Sequence, residues 1–438
     1  MIKGEAMGTV YITGHKNPDL DSVCSAYGYA KLMNLQDPDN TYVPIRCGHL
    51  SDSTRGILEQ LEIDIPEYKR DVYPKVKDVM LQSEHKIDAG DLLTVVAAIY
   101  EKNNPSAIPV YDKDDFYGLL TVDDITNWTM RELSRDNKIT AIPCVRQIMT
   151  AQGPVIDASE LFDEAKNMLL SSGKRGLAVY DENGYAGFVT RRCFLNVPRS
   201  SVILVDHNES SQSIRGIETA NIIGILDHHR LDAIKTDQPI FICAEPLGST
   251  CTIVYQQYIR NNRTPDPVTA KVLLTGLISD TLILRSPTTT GDDVVAAHVL
   301  ASMCKVDLEE YGLSMFSRVK GLKERDPKSA ILSDFKTYTQ NGIKIGIGQC
   351  EVTTLNDLPD YKDEYAAMLD EIKTMQGLGW AVLMITDVIH EHSALLCTEH
   401  RGNKYLPYKA MDRNMFDMPH VMSRKKQLLP EIIHAAGE

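Results

Sequence analysis

The chain has 438 residues, more than one ordinary core accommodates, and that length argues for about three domains. A hydrophobic share of 43% with 24% charged residues is that of a globular protein that buries its core without covalent staples. The net charge of −14 argues against a broad basic surface for nucleic acid and leaves room for a locally basic pocket that takes an anion. Nine cysteines are scattered with no Cys-x-x-Cys pair, which fits a reducing compartment and speaks against a disulfide framework or a thiolate zinc site. No uninterrupted apolar run is long enough to cross a bilayer, so no membrane partner is expected. The opening Met1-Ile2-Lys3-Gly4-Glu5 runs into a strand-like Val10-Tyr11-Ile12-Thr13 without the pattern of a signal peptide, and a cytoplasmic location is the expectation.

Residues 9–65 alternate strand, loop, helix and strand: Val10–Thr13, a helix over Ser22–Met33, then Tyr42–Ile45. That alternation predicts a parallel α/β sheet. After Pro66 the character changes. Residues 76–193 hold an internal duplication, in which Val76-Lys77-Asp78-Val79-Met80 returns as Val145-Arg146-Gln147-Ile148-Met149. Val110-Tyr111-Asp112 returns as Val179-Tyr180-Asp181, and Gly118-Leu119-Leu120-Thr121 as Gly187-Phe188-Val189-Thr190. All three blocks share one offset of 69 residues, which means two copies of a small unit, each read as a helix followed by two short strands. From Ser201 the α/β pattern resumes with Val202–Val205 and Ile222–Leu226, so the duplicated unit is an insertion within a parallel-sheet domain. A polar stretch around Ser317–Lys328 reads as a link to a last domain. That domain has strands near Ile343–Ile347 and Trp380–Thr386, a helix across Glu364–Met375 and a basic tail at Ser423–Gln427.

Four motifs carry chemistry. Gly14-His15-Lys16-Asn17-Pro18-Asp19-Leu20-Asp21-Ser22 follows a strand, where α/β sheets bind their ligands. Pro18 stiffens this loop, and Asp21 or Ser22 can cap the following helix. Val205-Asp206-His207-Asn208-Glu209 and Leu226-Asp227-His228-His229-Arg230 both close apolar strands, and Ile278-Ser279-Asp280-Thr281 closes an apolar stretch from Val272. Each Asp alone reads equally well as a helix cap or turn residue. Asp19, Asp21, Asp206, Asp227 and Asp280 with His15, His228 and His229 offer five acids and three imidazoles at element ends of one domain. Hard oxygen ligands mixed with imidazole suit Mn²⁺ or Co²⁺, with Mg²⁺ also possible. Two such ions roughly 3.5–4 Å apart clamp the attacking and leaving oxygens of a phosphoryl transfer. Asp206 and Asp280 are the candidates for an acid facing both ions. Ser423-Arg424-Lys425-Lys426-Gln427 would supply cations for the outer phosphate oxygens if the last domain closes over the metal loops.

On His15-x-x-x-Asp19-x-Asp21, Asp206, Asp227-His228-His229, Asp280 and the Ser423–Gln427 tail, the sequence resembles a family II inorganic pyrophosphatase of the DHH phosphoesterase superfamily. The likeness spans roughly residues 9–72 and 200–438, and the duplicated insert resembles a CBS-domain pair of the kind that binds adenine nucleotides. The resemblance implies an α/β fold with a parallel-sheet DHH domain in two pieces, 1–72 and 200–309. It also implies a regulatory CBS pair over 73–199 and a smaller DHHA2-type α/β domain over 310–438. It makes His15, Asp19, Asp21, Asp206, His228 and Asp280 metal ligands, with His229, Arg424 and Lys425 on substrate phosphate. It implies hydrolysis of pyrophosphate by a metal-bridging water, without a phosphoenzyme. In the insert, Thr121 and Asp124 form a Thr-x-x-Asp that can meet phosphate and ribose, whereas Thr190, Arg191 and Arg192 lack the Asp but could bind phosphate. One nucleotide per pair of units is expected at most. AMP and ADP would inhibit, ATP or a dinucleotide would activate, and a homodimer joined through the insert is implied.

The family's substrate-binding Lys aligns, on this reading, with Ser317, leaving Arg318 or Lys320 to replace it or the site to bind more weakly. A DHH exopolyphosphatase or oligoribonucleotide phosphodiesterase would share the metal motifs, but its Gly-Gly-His motif is missing. A nucleotide sensor with a decayed catalytic half is the alternative from another class. His390-Glu391-His392 reads as an exposed turn, Met411–Met422 as packing for the closing interface, and Gly248-Ser249-Thr250 as a helix start.

Overall fold

A computed structural model describes the chain except residues 1–7, 84, 135–140, 150–152, 233, 317–320, 389 and 438. The chain separates into two compact units, one made of 1–72 with 201–438, the other of 73–200. In the first unit, β1 (Gly8–Thr13) leads through the Gly14–Asp19 loop into α1 (Leu20–Gln36), followed by β2 (Asn40–Arg46), α2 (Asp52–Gln60) and β3 (Glu67–Tyr68). α1 starts two residues earlier than the sequence pattern indicated. Its cap is Asp19, whose carboxylate accepts the Ser22 N–H at 2.9 Å, and not Asp21 or Ser22.

The second unit repeats one motif. β4 (Ile87–Asp88), α3 (Leu93–Asn103), β5 (Ile108–Asp112), β6 (Asp115–Leu120), α4 (Val122–Ser134) and α5 (Val145–Ile148) make the first copy with its connection. β7 (Val155–Asp157), α6 (Phe162–Ser171), β8 (Gly176–Asp181) and β9 (Gly184–Thr190) make the second. Each copy is a three-stranded sheet whose first strand runs parallel to the second. That first strand, of two or three residues, was too short to show in the sequence, where each copy read as a helix and two strands. The two hairpins meet through Phe116 and Tyr185, stacked at 3.9 Å and occupying equivalent positions of the repeat.

The first unit resumes with β10 (Ser201–Val205), β11 (Asn221–Asp227), β12 (Phe241–Ala244), α7 (Thr250–Arg260), α8 (Pro267–Asp280), α9 (Gly291–Cys304) and α10 (Leu308–Phe316). Its six strands are all parallel in the order β12-β11-β10-β1-β2-β3. The order reverses direction between β10 and β1, so the carboxyl ends of these strands open a crevice at a topological switch point. α1, α7 and α8 bury one face of the sheet over Ile12, Val23, Leu273 and Leu277. After the link come α11 (Pro327–Ser333), β13 (Phe335–Gln340), β14 (Ile343–Val352), α12 (Leu358–Met375), β15 (Trp380–Asp387), β16 (His392–Cys397), β17 (Lys409–Asp412), β18 (Met415–Pro419) and α13 (Leu429–Gly437). They form a mixed sheet in the order β13-β14-β15-β16-β18-β17 with its own apolar layers on both faces. Met422 and Val388 leave that sheet to join the core of the parallel-sheet domain. No helix among the described residues is long and apolar enough to cross a membrane.

Candidate metal centre

The crevice gathers all six predicted ligands. His15 and Asp19 come from the loop after β1, Asp21 from the first turn of α1, Asp206 from just past β10, His228 from just past β11, and Asp280 from the last turn of α8. His15 Nε2 lies 3.3 Å from both Asp19 Oδ2 and Asp206 Oδ2. His228 Nε2 lies 3.5 Å from Asp206 Oδ1 and 3.4 Å from Asp280 Oδ2. The metal-capable atoms form three groups among the described residues, His15–Asp19–Asp206, Asp21–His228–Asp280 and, with His229, Asp206–His228–His229, each with all its atoms within 4.8 Å of one another. Asp206 turns Oδ2 to His15 and Oδ1 to His228, and so belongs to two of the groups. Of the two acids read as candidates to face both ions, Asp280 falls in one group, with Asp21 and His228, and Asp206 in two.

Several features show that these groups fit a divalent cation. Asp206 Oδ2 and His228 Nε2 are buried with no hydrogen-bond partner, an expensive state for polar atoms unless a ligand completes them. Asp206 sits at φ 59°, a left-handed conformation unfavourable for a residue with a Cβ and found where a side chain must be aimed. Asp280 puts a carboxylate at the C-terminal end of a helix, where the macrodipole repels it and a cation would be welcome. Burial and then the charge of Asp206 push Asp21 up to about 6, and burial with Asp21 pushes Asp280 well above the carboxylate range. The site is overloaded with negative charge, as a cation site is. Carboxylates with imidazole are the donor set of Mn²⁺, Co²⁺ or Mg²⁺.

His229 is held differently. Its backbone N–H and its Nδ1 both meet Asp227 Oδ1, at 3.0 and 2.8 Å. Asp227 in turn accepts Asn208 Nδ2 at 2.5 Å. With Nδ1 engaged, the ring is oriented to offer Nε2, which suits a substrate contact better than metal ligation, although its atoms also lie close to Asp206 and His228. The orienting roles of Asp227 and Asn208 were not read from the sequence, where a strand-end Asp looks like a turn residue.

The basic tail forms a five-residue turn, Arg424–Leu428, with the wide i→i+5 winding often found at functional sites. Its polar ends explain the motif: Ser423 Oγ accepts the Lys426 N–H at 3.2 Å, and Gln427 Oε1 accepts Met422 and Ser423 N–H at 2.8 and 2.9 Å. Arg424 Nη1 is fixed by the Asp334 carbonyl at 2.6 Å and carboxylate at 2.8 Å, while its buried Nε has no partner. Lys425 is pushed down by burial and by the charge of Lys336, and pulled back up by Asp227, Asp280 and Asp206. It therefore lies within electrostatic reach of the acids in the crevice. Lys336, on β13 two residues past Asp334, is an electrostatic neighbour of both Asp334 and Lys425 and was not singled out in the sequence. Ser317, Arg318 and Lys320, to which the substrate Lys or its replacement was aligned, lie outside the described residues. The signal that could have found Lys336 is its Asp-x-Lys spacing from the acid that clamps Arg424.

In the insert, Thr121 and Asp124 satisfy each other: Asp124 Oδ2 accepts the Thr121 N–H and hydroxyl at 2.8 and 2.6 Å. In the second copy Cys193 Sγ takes that place, 3.2 Å from the Thr190 N–H. A cleft of about 480 Å³ is lined by Thr190, Arg191, Arg192, Arg175, Asp123 and Ser106, and Arg175 Nε is paired with Asp123 at 2.6 Å. Thr190 and Arg191 thus face a cleft, whereas Thr121 and Asp124 are not among its lining residues. His390 and His392 bind Asp387 and Asp417 separately and form no joint metal group among the described residues.

The description "DHH family, N-terminal domain" matches residues 9–277 and "DHHA2 domain" residues 313–435. The chain belongs to the DHH family and, within it, to the family II inorganic pyrophosphatases. It is 26% identical to a Clostridium perfringens protein named "Cobalt-dependent inorganic pyrophosphatase", over 97% of each chain. It is 33% identical to a "Probable manganese-dependent inorganic pyrophosphatase" of Lactobacillus helveticus, covering 58% of this chain and 85% of that one. The crystal structure of a Methanococcus jannaschii protein placed in family II shares the fold, with a TM-score of 0.61 at 22% identity over 98% of this chain and all of that one.

Proposed function

We propose that the chain hydrolyses inorganic pyrophosphate to two phosphates with two divalent cations, Mn²⁺ or Co²⁺ and alternatively Mg²⁺. The observation that carries this reading is Asp206, which turns Oδ2 to His15 and Oδ1 to His228, each imidazole belonging to a different set of acids. His15, Asp19 and Asp206 would hold one cation, and Asp21, His228, Asp280 and Asp206 the other. When bound, the cations supply Lewis acidity to the phosphoryl group and to the attacking water. The protein's own residues do the rest. Arg424, already clamped by Asp334, offers its unpartnered Nε; Lys425 and Lys336 add point charges; all three stabilise charge that grows on the leaving phosphate. His229, oriented by Asp227, would present Nε2 to a phosphate oxygen and hold or give a proton there. Closure of the last domain on the first is supported by Met422 and Val388 in the parallel-sheet core, and by Lys426 Nζ donating to the Pro287 carbonyl at 3.3 Å.

The insert, on this reading, is a regulatory pair that takes one adenine nucleotide, its phosphate in the cleft of Arg175, Arg191, Arg192 and Thr190. Three guanidiniums against the single Asp123 support an anionic ligand. AMP or ADP would lower activity. Phosphate release from pyrophosphate with Mn²⁺, Co²⁺ or Mg²⁺, with and without AMP, tests both parts. We expect metal-dependent turnover that AMP suppresses and that His229→Ala lowers about a hundredfold. No turnover with any of the three metals would overturn the catalytic reading, and turnover indifferent to adenine nucleotides the regulatory one.

A further inference from the structure

One layer behind the ligands lies a buried carboxylate, Asp293, with 0% exposure. It is the third residue of α9 and closes that helix's capping box by accepting the Thr290 N–H and hydroxyl, each at 2.7 Å. A capping box needs no more than this. The same carboxylate also accepts the Gly248 N–H at 2.8 Å and the Thr252 hydroxyl at 2.6 Å. Gly248 is required for so close an approach, because a Cβ there would stand 2.8 Å from Asp293 Oδ2. Four neutral donors thus compensate the buried charge, and among the described residues no cation pairs with it.

The two extra donors flank Ser249, Thr250 and Cys251, the residues that open α7. Those three aim at the metal acids. Ser249 Oγ and the Cys251 N–H donate to Asp21 Oδ1 at 2.6 and 3.0 Å, and the Thr250 N–H donates to Asp21 Oδ2 at 2.7 Å. Thr250 Oγ1 donates to Asp206 Oδ1 at 3.1 Å. Asp293 therefore grips the start of α7 on both sides of the groups that fix Asp21 and Asp206. Partners outside the ligand shell orient ligands and set metal affinity.

We propose that Asp293 is a positioning residue of the metal centre. It sets the affinity of the cation position made by Asp21, His228, Asp280 and Asp206 by holding the first turn of α7 against Asp21, without touching cation or substrate. The inference rests on the metal-centre reading above. It is tested by calorimetric titration of the metal-free full chain with Mn²⁺ in the absence of pyrophosphate. Asp293→Asn is expected to weaken Mn²⁺ binding about tenfold, and Thr252→Val, which removes one of the two grips, to weaken it less. Thr290→Ala opens the capping box but leaves the grip on α7, so it should bind Mn²⁺ as the native chain does even with a lowered Tm. At saturating Mn²⁺ the KM of Asp293→Asn for pyrophosphate should return to the native value. Native-like Mn²⁺ binding by both Asp293→Asn and Thr252→Val, or equal weakening by Thr290→Ala, would overturn it. A native chain that binds no Mn²⁺ overturns the metal centre and this inference together. Because the titration contains no pyrophosphate, failure of the hydrolysis assay is read separately.

Discussion

His228 and Asp206 titrate in opposite directions because each is the other's partner. Burial opposes the charged form of both, yet the His15 and His228 imidazoles beside it hold Asp206 well below the carboxylate range. For His228 burial is outweighed by Asp206 and Asp280, which raise it to about 10, and His15 likewise rises well above the ordinary 6.5 under Asp19 and Asp206. In the metal-free protein both rings thus hold protons that the unfolded chain releases near 6.5. A raised folded pKa contributes stability fully present below the unfolded value and lost as pH climbs through the folded one. Metal-free protein is therefore expected to unfold at a lower urea concentration at pH 9 than at pH 7.5. His207, pushed down to about 4 by burial, titrates below that window. Saturating Mn²⁺ should flatten the difference, since a ligating imidazole carries no proton. Identical urea midpoints without metal at the two pH values would contradict this account.

At the scale of elements, close approach matters more than propensity. α8 passes α1 and α7 at Gly276, where a Cβ would stand 2.5 Å from Cys251 Sγ and 3.2 Å from Asp21 Cα. Gly276→Ala is expected to destabilise by about 1–3 kcal/mol through overpacking and to weaken Mn²⁺ binding, because α1 and α7 must separate at Asp21. Urea unfolding and the Mn²⁺ titration check the two effects, and a variant as stable as the native chain would refute the first. Just beyond α8, Leu282, Ile283 and Leu284 follow one another at φ 50°, 56° and 64°. Such a left-handed run is unfavourable for residues with a Cβ, and the burial of Leu282 and Ile283 offsets it. No local sequence rule announces that turn, whereas the helix opened by Ser249 was legible from its cap. The start of α1 was misjudged because Asp19 both caps the helix and faces His15, and a capping residue looks the same whether or not it has a second task.

For the molecule as a whole, the insert is separable in design. The chain before it stays tied to the first unit by the Val72 N–H to the Arg215 carbonyl at 2.9 Å and the bridge of Asp71 with Arg215. A chain with 73–200 replaced by a short Gly-Ser link is expected to fold, to keep metal-dependent pyrophosphate hydrolysis and to lose its response to AMP. Assay of both forms with and without AMP decides it, and a shortened chain still suppressed by AMP would place the nucleotide elsewhere.

The parallel α/β architecture, the duplicated insert and the acids and imidazoles that converge in the crevice were legible in the sequence. Those are written in periodicity, in a constant offset and in polar residues set against the ends of apolar strands. The folded chain alone reveals that Asp206 stands between His15 and His228, that Lys336 comes near Lys425, and that Asp293 stands behind α7. These depend on which strand and helix ends converge in space: Asp206 meets His15 only because β10 pairs with β1 across the insert, and Asp293 meets Gly248 only because α9 starts beside α7.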